Sequence, residues 1–386
     1  MKKRLLICMT IILLLSMLTG CWNRRELGTL SVVQAVGIDR TEDDQISLTL
    51  QILKPGEVKK EAKGGKSVFI VTTKGKTIFD AIRNAAIQLG RKGFWGQTKV
   101  VIIGEEEAKV GIAPLLDMYF RDHEVREQMY MFVARGKAAD VIEAEHEQER
   151  IPSKAIENLA KATFATSKVP KINLLDLMKT LVSKTSDPII PGIKTIEQKE
   201  DGEVKKLLKL DETAIFQEDK LKGWFDHKET RGLLWILGKV KSGIVVVQSP
   251  QDETKKVGLE IIRASSKLKP EITDGKLMVT VEVKEEGNLG EQMSQVDLTK
   301  PDTFKELEEK QAAVIEEEIN TALSKAQAWG VDIFKFGEAF HRKFPKEWPE
   351  LEENWDEEFK KIEVNVIVDA KLRRLGISTK PVKAEE

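Results

Sequence analysis

Gly75-Lys76-Thr77 lies between a strand-like and a helix-like segment, where a loop cradling phosphate would sit. Such a loop needs a further glycine five residues before the second one, because its backbone N–H groups must wrap the phosphates. That position is Ile70, and in the second near-match, Gly65-Lys66-Ser67, it is Lys60. Gly75 therefore reads as a turn residue and Thr77 as a helix cap. The four histidines, His123, His146, His227 and His341, are scattered singly, with no His or Cys partner at ligand spacing. A zinc site needs such clustering, so no metal and no cofactor is assigned. No Gly-x-Ser-x-Gly elbow is present to raise a serine nucleophile. The acidic clusters Glu105–Glu107, Glu316–Glu318 and Glu357–Glu358 belong to a chain with 63 acidic residues, and read as solvated faces rather than a paired-carboxylate acid and base. The seven tryptophans read as core or domain-interface residues. Phe340, Phe344, Trp348 and Trp355, grouped in a charged stretch, are a candidate partner surface. No catalytic residue is assigned, and the chain reads as a non-enzyme.

The one residue with a defined chemical prospect is Cys21. Lys2, Lys3 and Arg4 precede a fourteen-residue apolar run from Leu5 to Leu18, broken only by Thr10 and Ser16. A membrane-spanning helix needs about 20 such residues, so the run has the length of a signal-peptide core. It ends in Leu18-Thr19-Gly20-Cys21, which resembles the lipobox of bacterial lipoproteins, where the cysteine thiol is alkylated by diacylglycerol before cleavage. Of the two cysteines, Cys8 would leave with residues 1–20, and a single remaining thiol cannot form an internal disulfide. Two acyl chains hold a protein stably to a bilayer where one does not. The sequence thus predicts export and tethering to a lipid bilayer through diacylglyceryl Cys21.

Composition sets the frame for the rest. Across 386 residues, 41% are hydrophobic and 32% charged, with a net charge of -1, which fits a globular chain without the basic excess of a nucleic-acid binder. From Leu27 to about Arg135, strand-like and helix-like segments alternate: 30–38, 46–53 and 68–73 as strands, 77–89 as a helix, 99–103 as a buried strand, 106–119 as a helix and 129–134 as a strand. Three helices follow, over 138–144, 153–164 and 174–183. Asp187-Pro-Ile-Ile-Pro-Gly192 reads as a turn or extended linker, and Lys199–Gly202 as the clearest boundary. Beyond it come a hairpin over 205–216 and 221–225, a short helix over 229–237 and an apolar strand at 244–247. Then follow a hairpin turning at Thr273-Asp274-Gly275, a long helix from Pro301 to Trp329, and an alternating strand from Ile362 to Leu372. The expected organisation is a signal peptide over 1–20, an α+β domain over 21–200, and an α+β region over 201–386. A further division of that region near 250, at Pro250–Asp252, stays open.

The mature start Cys21-Trp22-Asn23-Arg24-Arg25-Glu26-Leu27, running into Ala35-Val36-Gly37-Ile38-Asp39, resembles the opening of the Ger(x)C family, the C subunits of bacterial spore germinant receptors. Further likeness lies in Gly75-Lys76-Thr77-Ile78-Phe79-Asp80-Ala81, Gly104-Glu105, Ala108-Lys109 with Gly111-Ile112, and Arg121-Asp122. Glu229-Thr230-Arg231-Gly232-Leu233-Leu234-Trp235, Val331-Asp332-Ile333-Phe334 with Phe336-Gly337, and the Trp348 to Trp355 spacing complete it. The resemblance implies a fold of several α+β domains, each a mostly antiparallel or mixed β-sheet with flanking helices. It implies no catalysis, a lipid anchor on the outer face of the spore inner membrane, and two membrane-embedded partners, the A and B subunits. It transfers a role to Cys21 alone and assigns no bound small molecule. The rival from another class is an extracytoplasmic solute-binding lipoprotein of a transporter, which would have two similar lobes around a hinge.

Overall fold

The computed structural model describes residues 3–7, 9–10, 26–54, 67–122, 124–144, 149–200 and 203–374. Its first sheet is built around β1 (Leu30–Arg40), which pairs antiparallel with β2 (Ile46–Leu53), itself antiparallel to β3 (Val68–Gly75). On its other edge β1 runs parallel to β5 (Val100–Ile103), and β5 runs parallel to β6 (Tyr130–Ala134). A three-residue strand, β4 (Lys92–Phe94), pairs with the start of β1. The four residues of β5, Val-Val-Ile-Ile, are all buried, as a short parallel strand covered on both faces requires.

Strand alternation sends the side chains of β5 and β6 into two cores. Val101, Ile103, Met131 and Val133 pack with α1 (Ile78–Leu89), α2 (Glu105–Val110) and α3 (Ala113–Arg121). Val100, Ile102, Phe132 and Ala134 pack on the opposite face with α4 (Ala138–Glu143) and α5 (Pro152–Ala162). Helix α6 (Leu174–Val182) places Leu174 and Leu177 on the first of these faces.

The segment over 187–192 departs from the linker expected there. Strand β7 begins at Ile189, and Ile190 is fully buried. Two prolines disguise it, because proline donates no ladder hydrogen bond. β7 tolerates Pro191 since it meets β6 over only two paired positions, Val133↔Gly192 and Ala134↔Ile193, and shifts register beside the proline against β8. β7 (Ile189–Glu200) and β8 (Glu203–Gln217) form one antiparallel hairpin whose ladder closes at Glu200↔Glu203, and β9 (Lys220–Phe225) continues the same sheet. The nine-stranded sheet continues through β8 and β9 to Phe225.

The second sheet has four strands in sequence order: β10 (Gly243–Ser249), β11 (Asp252–Thr273), β12 (Lys276–Gln292) and β13 (Glu363–Arg374). β11 and β12 form the hairpin expected at 273–275, with Asp274 and Gly275 both at positive φ (52° and 77°), the backbone that a two-residue turn between twisted strands needs. β13 joins β12 in parallel, so a crossover must separate them. The crossover contains α8 (Pro301–Trp329), which ends at left-handed Gly330, followed by α9 (Phe336–Lys343), α10 (Trp348–Glu352) and α11 (Trp355–Phe359). Leu307, Ile315, Ile319, Ala322, Leu323 and Ala326 form the buried stripe of α8. Helix α7 (His227–Ile236) packs against α8 between the two sheets. Ile189, Ile215 and Phe225 of the first sheet belong to the same apolar core as the second sheet and α8. Two mixed sheets with flanking helices make the fold α+β.

Candidate interaction cleft

The polar residues of the sequence motifs are spent largely on joints. Gly75 lets β3 turn into α1: a Cβ there would lie 2.3 Å from the Ala81 nitrogen. Thr77 accepts from the Asp80 N–H at 3.1 Å, and the Asp80 carboxylate accepts from the Lys76 N–H at 2.9 Å, so local side chains take up these amides. Asp39, on β1, reaches the start of α4 and accepts from the Ala138 and Ala139 N–H groups at 2.7 and 2.9 Å. Burial raises its pKa against those two hydrogen bonds. Gly104 leaves room for that carboxylate, since a Cβ there would meet Asp39 Oδ1 at 2.1 Å.

The Glu229–Trp235 motif is α7 locked onto α8. Asp226 and Glu229 form a capping box, and Glu229 also accepts from Lys325 Nζ at 2.7 Å. Arg231 makes a buried, two-pronged pair with Glu318, one contact being Nε to Oε2 at 2.8 Å, and donates to the Ile244 carbonyl at 2.9 Å. Trp235 Nε1 donates to the same carboxylate at 3.0 Å. Gly232 permits the approach, because a Cβ there would lie 2.0 Å from the Glu318 carbonyl oxygen.

The Val331–Gly337 motif is a third joint. Asp332, 1% exposed, accepts from the Phe334, Phe336 and Gly337 N–H groups at 3.1, 3.1 and 2.7 Å and from Trp355 Nε1 at 3.1 Å. Asp187 ties this knot to the start of β7: its carboxylate accepts from the Asp332 N–H at 2.9 Å, and its own N–H donates to the Asp332 carbonyl at 2.8 Å. Burial pushes Asp332 up to about 6 and Asp187 up to about 7. A fourth joint uses Ser167, at φ 49°, whose Oγ donates to the Ser242 carbonyl at 2.8 Å and accepts from the Lys241 N–H at 3.0 Å.

Between the Ser167 and Asp187 joints lies a cleft of about 800 Å³, walled by α5 and α6 on one side and by α7, the 237–241 loop and the start of α9 on the other. Leu177, Leu234 and Ile333 are among its apolar floor residues, and Phe164 stands at it 61% exposed. Sequence patterns gave no signal for this cleft, because its walls lie far apart in the chain.

The other sequence candidates fall elsewhere. His227 lies near Asp211, with Nε2 to Oδ1 at 3.9 Å, and His341 stacks on Trp348. His123, His146 and the Gly65-Lys66 pair lie outside the described residues. Among the described residues no group of three or more His, Cys, Asp or Glu is placed to hold a metal. The acidic clusters meet cations: Glu107 pairs with Arg40, Glu106 with Lys109, Glu317 with Lys228, Glu357 with Lys360 and Glu358 with Lys361. Phe340, Trp348 and Trp355 are buried and Phe344 is half-buried, so this group is core rather than the partner surface expected of it; the charged residues around it are the exposed turns of amphipathic helices. Cys21 lies outside the described residues, as does most of the apolar run before it, and no described helix is long and apolar enough to cross a membrane. One group that sequence reasoning missed is Glu285 on β12, 1% exposed, which has the buried Gln311 of α8 beside it and, among the described residues, no cation. Burial pushes it up to about 8.

Two family models match successive parts of the chain. Residues 23–195 match the family described as spore germination protein N-terminal domain. Residues 211–376 match the family described as spore germination B3/GerAC like, C-terminal. The chain is 29% identical to spore germination protein KC of Bacillus subtilis (strain 168), over 99% of this chain and 98% of that one. It is 25% identical to spore germination protein B3 of the same organism, over 93% and 95%. The crystal structure of the GerBC protein superposes with a TM-score of 0.55 at 22% identity, covering 87% of this chain and 96% of that one, and shows the same fold. Matched in order by both family models, and along its length by spore germination proteins, the chain belongs to the Ger(x)C family of germinant-receptor C subunits.

Proposed function

We propose that this chain is a lipid-tethered, non-catalytic subunit of a spore nutrient germinant receptor, held at the outer face of the spore inner membrane through diacylglyceryl Cys21. It docks on the membrane-embedded A and B subunits and stabilises one state of the assembly, so that a nutrient signal starts germination. The observation that carries this reading is the use made of the family motifs. Asp39, Glu229, Arg231, Asp187 and Asp332 act as joints that fix helices to sheets and one half to the other. A chain whose distinctive polar residues set its shape is suited to being a platform. The solute-binding alternative calls for two like lobes around a hinge, whereas nine- and four-stranded sheets around a shared core favour docking.

Nutrient-triggered dipicolinic acid release from spores tests this. Deletion of the gene is expected to abolish the response to one nutrient set while leaving a nutrient-independent germinant effective, and Cys21→Ala to reproduce most of that loss. A deletion strain that responds normally to every nutrient tested would overturn the assignment.

A further inference from the structure

The cleft between the halves is cationic as well as apolar. Six lysines line it, Lys161, Lys171, Lys179, Lys239, Lys241 and Lys335, against three acids, Asp176, Asp187 and Glu338. Lys161 pairs with Glu157 and Lys335 with Glu338, and Lys171 stands over the Tyr130 ring. Among the described residues Lys179, Lys239 and Lys241 form no ion pair, and all three are exposed. Asp187 is turned into its joint, where it accepts from the Glu218 and Asp332 N–H groups.

The cations on the far wall stand on fixed backbone. Lys239 and Lys241 flank Val240, which is fully buried. The Lys239 N–H donates to the Leu234 carbonyl at 2.9 Å, and the Lys241 N–H to Ser167 Oγ at 3.0 Å. Lys335 sits at φ 64° between Phe334 and Phe336, both fully buried. Each alternation sends an apolar side chain into the core and an ammonium to the rim, and the entropic cost of ordering that backbone is met in folding rather than in binding.

We infer that this cleft is a docking site for an acidic, partly apolar segment of another subunit of the receptor, a proposal that rests on the function given above. An apolar centre ringed by polar groups is the anatomy of a protein interface, and charge complementarity fixes the register of what docks there. The lysines come from separated elements on both walls, which suits several carboxylates spaced along a segment better than one small anion. Phe164 supplies an exposed aromatic anchor.

The test places the photo-crosslinking residue p-benzoylphenylalanine at position 164 of the full chain in spores. Illumination is expected to give an adduct to another protein, and the linked tryptic peptide to carry at least two Asp or Glu residues. The triple variant Lys179→Glu, Lys239→Glu, Lys241→Glu is expected to lower the adduct yield at least fivefold and to slow nutrient germination. Lys→Arg at the same three positions should leave both near wild type, with the same thermal unfolding profile verifying the fold of each. No adduct, an adduct to lipid or to a small molecule, a linked peptide lacking acidic residues, or a yield unchanged by charge reversal would each overturn the proposal. A deletion strain that germinates poorly beside a triple variant that crosslinks and germinates normally would remove the cleft proposal alone. A deletion strain without a defect would remove the function it rests on.

Discussion

Asp39 in the first half and Asp332 in the second are buried aspartates serving backbone N–H groups, and they differ in how much depends on them. Asp39 reaches from a central strand to the first turn of α4 and satisfies two amides. Asp332 satisfies three amides and an indole, and with Asp187 it also fastens the start of β7 to the helices of the second half. Both halves carry extensive strand pairing. The Asp39 contact finishes one helix end, whereas the polar side chains of the second half sit where helices and loops cross. Loss of one contact should therefore cost more in the second half.

The largest expected effect is that of Asp332→Ala, which leaves four buried donors without an acceptor. At about 1 kcal/mol or more for each group stranded, the loss is on the order of 4 kcal/mol at least, read as a lowered urea midpoint. Arg231→Met is next, at about 3–5 kcal/mol, because it leaves the Glu318 carboxylate buried without its cation. Adding Glu318→Leu to it should recover more than half of that loss, and no recovery would show that the two do not act as a pair. Asp39→Ala should cost roughly 2 kcal/mol, since two amides at one helix end are freed. A cost equal to that of Asp332→Ala would break the contrast between the halves.

An effect read through pH rather than through a lost contact sharpens the comparison at Glu285. Its folded pKa of about 8 lies above the ordinary glutamate value of 4.5, so the folded state binds the proton more tightly than the unfolded chain. Its favourable contribution is complete below about pH 4.5 and is lost as pH rises through about 8. Relative to Glu285→Gln, the wild type should lose on the order of 4 kcal/mol between pH 5 and pH 9. Parallel pH profiles for the two proteins would contradict a carboxyl group that burial keeps protonated.

Much of this fold was legible because its elements carry strong periodic signals. The stripe of α8, the Asp274-Gly275 turn and the alternation of β13 each correspond to the element expected. Strand β7 was hidden by Pro188 and Pro191, because short-range turn chemistry resembles that of a strand held only briefly to its neighbour. Phe340, Trp348 and Trp355 looked like surface because sequence proximity to charge does not reveal which side of a helix faces inward. The cleft was illegible for a deeper reason: residues near 164, 177, 239 and 335 meet only through tertiary packing. Asp332 stood out in the sequence as part of a motif, but its role as an acceptor hub required the positions of Gly337 and Trp355.

Tethering through Cys21 is tested most directly by anchor replacement in a strain whose deletion has a nutrient-specific germination defect. Cys21→Ala should leave that defect in place, and fusing the Cys21→Ala chain to an unrelated transmembrane anchor should restore dipicolinic acid release to near the wild-type rate. Wild-type release from Cys21→Ala spores without any substitute anchor would contradict a function exercised at the membrane surface through that residue.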